Sequence, residues 1–253
     1  MTLSAPRGGE SRRTVLRAGI VAAGIAVAAV LAFHFLERHR LEADLVRAAP
    51  EDVLRHPALV RLSLELGRST YAAHCAGCHG VDLKGNRAKG IPDLEDRTWL
   101  YGFGDVADIE TTVLYGIRSG HPKARNITDM PAFGRVGQLS PAEIRDVVEY
   151  VYSLTHRDYG AASAKRGYAL FNDKGVCYDC HGTDASGNID YGAPDLTGKH
   201  WLYGGDRATL VDSVTNGRHG LCPAWVFVLD PARIRALAVY LYVASHPGHG
   251  ATS

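Results

Sequence analysis

Two short segments hold the residues best suited to chemistry: "CAGCHG" from Cys75 to Gly80, and "CYDCHG" from Cys177 to Gly182. In each, a pair of thiols one helical turn apart is followed at once by an imidazole. Cys-x-x-Cys-His is the attachment signature of c-type haem, with two thiols for thioether bonds and then an axial ligand. One helical turn sets both sulfurs beside the macrocycle edge, and the next residue aims a ring nitrogen at the iron. A single Cys-x-x-Cys can also be a thiol redox pair, and two such pairs can bind zinc. Structural zinc pairs sit roughly 15–20 residues apart, however, and these lie far beyond that. Neither alternative uses a histidine placed after both pairs. The expectation is two covalent c-type haems, with Cys75, Cys78, Cys177 and Cys180 as anchors and His79 and His181 as proximal iron ligands.

The opposite axial position needs another donor. Met130, in "TDMPAFG", is the only methionine besides the initiator, and a neutral thioether raises a haem's potential. The later phrase "HGLCPAW" repeats the Pro-Ala-aromatic pattern with Cys222, the fifth cysteine, in the place of Met130. A thiolate can ligate haem iron, so Cys222 is the leading candidate there. His219 in the same loop is the second candidate. The third reading is a five-coordinate iron with Cys222 as a buried inert thiol. Trp99, Leu100, Trp201 and Leu202 are expected near the haems or in ordinary packing, and Tyr101 and Tyr203 within reach of a propionate.

What must position these residues is a duplication. "PDLEDRTWLYG" from Pro92 recurs as "PDLTGKHWLYG" from Pro194 at the same offset as the cysteine motifs. The offset then shrinks, because the first copy carries the longer loop HPKARNITD before its methionine. Both copies end alike, in LSPAEIRDVVEYVYSLTH from Leu139 and LDPARIRALAVYLYVASH from Leu229. Ser140 and Asp230 are helix N-cap types, Pro141 and Pro231 suit the first turn, and Glu143 completes a capping box. Ile144, Val147, Val148 and Val151 recur at helical spacing, as do Ile234, Leu237, Ala238 and Leu241. Each copy opens on a helix with a glycine and a ring four residues on: Gly67 with Tyr71, and Gly167 with Phe171. That pairing suits a close crossing with the terminal helix. No strand-like alternation stands out. The fold expected is all-α: an N-terminal transmembrane helix followed by two tandem cytochrome c-like domains, 59–157 and 162–247, joined near Arg157 to Ala162.

From Ala18 to Leu36 the chain has no formal charge, enough at ~1.5 Å per residue to span roughly a bilayer core. Arg7, Arg12, Arg13 and Arg17 precede it and mixed charges follow, which leaves residues 1–17 cytoplasmic and sends the rest outward. Ser11 to Arg17 is also similar to a twin-arginine export signal. No small-x-small site follows the apolar run cleanly, so 18–36 is read as an uncleaved inner-membrane anchor with a stalk over 37–58 and haem domains in the periplasm. The net charge of +1 and the lack of any basic stripe exclude a nucleic-acid partner.

Ile117-Arg118-Ser119-Gly120-His121-Pro122 leading to Met130-Pro131-Ala132-Phe133-Gly134, with Asn216-Gly217-Arg218-His219-Gly220 and Pro223-Ala224-Trp225 in the second copy, resembles the dihaem subunit of cbb3-type cytochrome c oxidases. The similarity covers roughly residues 58 to 247 and includes the unequal loops. It implies a membrane-anchored electron carrier, not an enzyme by itself, that passes electrons toward haem–copper oxidase subunits from a donor cytochrome or a quinol-oxidising complex. The chain departs from the family in two places. Cys222 stands where the family has Met, and the family's Trp- and Pro-rich segment ahead of its anchor is not found here. Two other readings stand beside this one: a free-standing periplasmic relay to another redox complex, and an enzyme oxidising a small sulfur compound at a Cys-ligated haem.

Overall fold

The computed structural model describes residues 8–125, 128–155, 157–198 and 200–248, with side chains from residue 16 onward. Arg7 and the side chains of Arg12 and Arg13, on which the export-signal and orientation readings rest, lie outside it. The described residues are helical, with isolated bridges and no strand among them.

Helix α1 (Gly8–Arg47) is 40 residues long. Its Leu16–Arg47 portion is long and apolar enough to cross a membrane, with a mean hydropathy of 2.3 in its most apolar window, none of which is buried. The stretch 37–58 is not a separate stalk. The helix runs on without a break to Arg47, a single 3-10 turn follows at Glu51–Arg55, and α2 (Pro57–His74) begins. Leu45 and Val53, set among charges, are fully buried. The Arg235 guanidinium donates to the carbonyls of Leu45 at 3.2 Å and Ala48 at 2.6 Å, and Arg38 pairs with Glu65 at 2.8 Å. The anchor helix is therefore built into the first core.

After α2 come α3 (Ala76–His79), α4 (Val106–Tyr115), α5 (Pro141–Leu154), α6 (Ala161–Asn172), α7 (Tyr178–His181), α8 (Arg207–Asn216) and α9 (Pro231–Ser245). The caps are those the sequence predicts. Ser140 and Glu143 form a reciprocal capping box, and Asp230 accepts from Arg233 N, each ahead of a proline-led first turn.

The pairing of these helices differs from the expected one. Boundaries at 59–157 and 162–247 divide the repeat, but the packing cuts across them. Helix α9, from the end of the chain, lies on α2, α4 and the end of α1, whereas α5 lies on α6 and α8. One core gathers Leu45, Val53, Leu59, Leu62, Leu66, Val106 and Ile109 with Ile234, Leu237 and Leu241. Three others gather Phe133, Ile144 and Val147 around Val211 and Leu170, Val148, Val151 and Tyr152 around Leu210, and Tyr150 with Phe171 and Ala185. The glycine crossings form as the sequence suggests, with partners exchanged. Gly67 meets Ala236 and Tyr240 of α9, and Gly167 meets Asp146 and Tyr150 of α5, in each case too closely for a Cβ. The physical reason lies in the connection. α5 ends at Leu154 and α6 starts at Ala161, and so short a loop folds consecutive helices against each other as an antiparallel pair. Helix α5 is thereby claimed by the second half, and the first half is left for α9.

Candidate functional site: two attachment segments and exchanged sulfur loops

Cys75 ends α2 and the next turn carries Cys78 and His79; Cys177, Cys180 and His181 repeat this after α6. The turns close identically, with His79 N donating to Cys75 O and His181 N to Cys177 O, both at 2.9 Å. Gly80 and Gly182 follow at φ 79° and 78°, a left-handed backbone that a side chain would strain. The chain then folds back so that Pro92 O lies 3.3 Å from His79 Nδ1, and Pro194 O lies 3.0 Å from His181 Nδ1. A carbonyl can only accept, so Nδ1 carries the proton and Nε2 keeps its lone pair for a metal. Burial lowers the pKa of both imidazoles, which keeps them in the neutral, ligating form. The repeated Pro-Asp-Leu phrase is thus the orienting partner of each histidine.

The cysteines distinguish the three chemistries left open by the motif. Redox-active pairs need a thiol with a lowered pKa. Here burial pushes Cys75 and Cys177 up to about 11, the nearby thiols of Cys222 and Cys78 adding to the effect at Cys75. Among the described residues no group of three or more His, Cys, Asp or Glu side chains converges on a single point. The residues present fit a covalently held porphyrin: paired thiols one turn apart, one oriented imidazole, and in the second unit a buried Trp201 Nε1 with no hydrogen-bond partner. Trp99 packs beside the first core and Trp201 beside the second, under the guanidinium of Arg157.

The sulfur loops cross between the halves. Ile117 and Cys222 exchange both backbone hydrogen bonds at 2.9 Å, and Trp225 N donates to Val113 O at 3.1 Å, so the Cys222 loop lies along the end of α4. In mirror fashion Met130 N donates to Arg218 O at 3.3 Å and Arg218 N to Met130 O at 3.2 Å, which lays the Met130 loop along the end of α8. Phe133 continues this contact into the core of the second unit. Burial, and next the Cys78 thiol, push Cys222 up to about 11, which places this sulfur at the first attachment segment. His219 is turned elsewhere: its Nδ1 lies 2.7 Å from Asp129 Oδ2, and its side chain is 61% exposed. Tyr101 and Tyr203 cross over too. Tyr101 packs on Gly192 and Tyr203 on Gly90, and the hydroxyl of Tyr101 accepts from Arg118 at 3.1 Å.

Sequence reasoning gave no role of their own to Arg118, Asp129 and Arg235. Arg118 and Asp129 bind both sulfur loops, and Arg235 ties α9 to α4 and to the foot of the anchor. Charged residues look solvated in a sequence, and only the fold shows that Arg118 also reaches Gly220, Asp129 reaches His219 and Arg235 reaches Glu110.

The family described as cytochrome C oxidase, cbb3-type, subunit III matches residues 63–151 and 162–241. The cbb3-type cytochrome c oxidase subunit FixP of Bradyrhizobium sp. (strain ORS 278) is 46% identical over 204 residues, 79% of this chain and 67% of that protein. Subunit CcoP of Azospirillum brasilense is 42% identical over 76% of this chain and 65% of its own length. CcoP of Cereibacter sphaeroides is 40% identical over 79% and 67%. The chain therefore spans about two thirds of these curated relatives. The doubled attachment turn, the oriented histidines and the two matched regions agree: the chain belongs to the subunit III family of cbb3-type cytochrome c oxidases.

Proposed function

We propose that this chain is a membrane-anchored electron carrier holding two covalent c-type haems and passing electrons toward a cbb3-type oxidase core. The observation that carries the reading is the twofold repetition of one arrangement, in which a Cys-x-x-Cys-His turn is followed by a proline carbonyl on the histidine Nδ1. Bound haem would supply one-electron chemistry at each site. The chain's own residues anchor it through Cys75, Cys78, Cys177 and Cys180, and orient His79 and His181. By the exchange of loops, Cys222 faces the unit of His79, and Met130 belongs to the unit of His181. The relatives are named as oxidase subunits, which supports haem–copper subunits as partners, with a cytochrome or quinol-oxidising complex as donor. The uncharged run of α1 and its arginine-rich flank support an inner-membrane anchor with both haem units in the periplasm.

The test is direct. Pyridine haemochrome on denatured protein is expected to give two haems per chain, and one haem or none would refute the reading. Protease added to spheroplasts is expected to reach both haem units; their protection would reverse the topology.

A further inference from the structure

Between the two sulfur loops sits an ion pair that belongs to neither haem unit alone. The side chain of Arg118 is 14% exposed, and its Nε lies 3.2 Å from Asp129 Oδ1. The same guanidinium donates to Gly220 O, two residues before Cys222, and to Thr128 O at 3.0 Å, two residues before Met130. Asp129, directly before Met130, binds His219 of the other loop at 2.7 Å. Arg118 itself has a φ of 49°, a left-handed conformation that costs a non-glycine residue conformational energy and persists where the surroundings over-determine it. Arg125 and Arg218, by contrast, each serve one unit: Arg125 bonds Thr112 and Asp108 beside α4, and Arg218 bonds Ser213 and Thr209 of α8.

We propose that Arg118 and Asp129 act as one shared pair of positioning residues that sets the redox level of both haem sites together. The inference rests on the two-haem reading above. With both charges present, their fields largely cancel at either sulfur loop. Removing Asp129 leaves the Arg118 guanidinium, 14% exposed, without its carboxylate, and removing Arg118 leaves Asp129, 45% exposed, with only His219 beside it, so the field at the loops changes sign with the residue removed. A lone positive charge disfavours the ferric, more positive state of a nearby haem and raises its midpoint; a lone negative charge lowers it. Because the pair bonds both loops, the change reaches both haems with one sign.

The experiment is a spectroelectrochemical titration of the detergent-solubilised full chain and of Asp129→Asn and Arg118→Gln, with haem content measured on each. Asp129→Asn is expected to raise both midpoints and Arg118→Gln to lower both, at two haems per chain. Arg118→Lys keeps the charge without the planar fork, and its midpoints are expected near the wild-type ones even where its thermal stability falls. Shifts confined to one haem overturn the proposal. So do shifts of the same direction in Asp129→Asn and Arg118→Gln, which would mean loosened loops, and an Arg118→Lys shift as large as that of Arg118→Gln. A wild-type content below two haems would instead overturn the two-haem reading itself.

Discussion

Ile117 and Cys222 trade backbone hydrogen bonds in both directions, 2.9 Å each way, which fixes the fifth cysteine beside the first attachment turn although it lies in the second copy of the repeat. An anionic thiolate favours ferric iron more than a thioether does, so the haem attached at Cys75 and Cys78 is expected to have the lower midpoint. Cys222→Met is expected to raise it by on the order of 0.1–0.3 V, within the ~0.8 V range over which ligation and surroundings tune haem. Cys222→Ala is expected to add a high-spin component to the visible and paramagnetic-resonance spectra. Two high, overlapping midpoints in the wild type would speak against thiolate ligation.

Met130 makes the reciprocal prediction. Met130→Ala is expected to open the haem attached at Cys177 and Cys180, not the one at Cys75 and Cys78. In a chain with Cys177→Ala and Cys180→Ala, which retains only the first haem, adding Met130→Ala is expected to leave the spectrum unchanged. A new high-spin signal in that background would show that Met130 serves its own half.

Gly67 lies where α2 meets Ala236 and Tyr240 of α9, with no room for a methyl group. Gly67→Ala is expected to push the helices apart at a cost of about 1–3 kcal/mol, as overpacking does. Since α9 also carries the chain that follows the Cys222 loop, the spectrum of the first haem is expected to broaden before that of the second. Thermal melts followed at the haem absorption would show this order or its reverse.

Arg235 and Glu110 pair at 2.6 Å with side chains only 11% and 15% exposed, and Arg235 also holds two carbonyls at the foot of α1. Breaking such a pair from one side leaves a buried charge uncompensated, worth about 3–5 kcal/mol. Arg235→Ala is expected to lower stability by about that much and to make the segment around Arg47 sensitive to added protease. Equal cleavage of wild type and variant would show that the anchor is not held this way.

Glu143 is held down to about 2, first by Lys174 at 2.6 Å and then by the capping bonds with Ser140. A carboxylate whose folded pKa is depressed adds stability above its ordinary value of 4.5, and that contribution fades as pH falls toward 2. Glu143→Gln keeps the capping acceptor but not the charge. Its acid-unfolding curve is expected to be flatter than the wild type's between about pH 4.5 and 2. Superimposable curves would place the acid sensitivity elsewhere.

Much of this was legible in the sequence because it is local. Ser140, Glu143 and Asp230 announce their helix starts, and the glycine–ring pairs announce crossings that do form. What was not legible is the choice of partner. The terminal helices of a repeat present the same face, Ile144 with Val147 and Val151 in one and Ile234 with Leu237 and Leu241 in the other, so either fits either opening helix. The deciding signal was the brevity of the connection between α5 and α6, which reads as a domain linker until the length each arrangement requires is considered. Leu45 and Val53 were hidden in a similar way, as lone apolar residues in a charged stretch whose burial depends on a helix arriving from the far end of the chain.

That late arrival makes the molecule an interlocked topology. The core around Leu59 and Leu66 is closed by α9, which follows it far along the chain, so the contacts that close it join widely separated residues. In chain order the first attachment turn precedes the helix that shuts its core, whereas the second follows the α5 that completes its own. A chain cut short before Pro231 is therefore expected to lose the integrity of the unit around Cys75 and Cys78 and to keep the unit around Cys177 and Cys180.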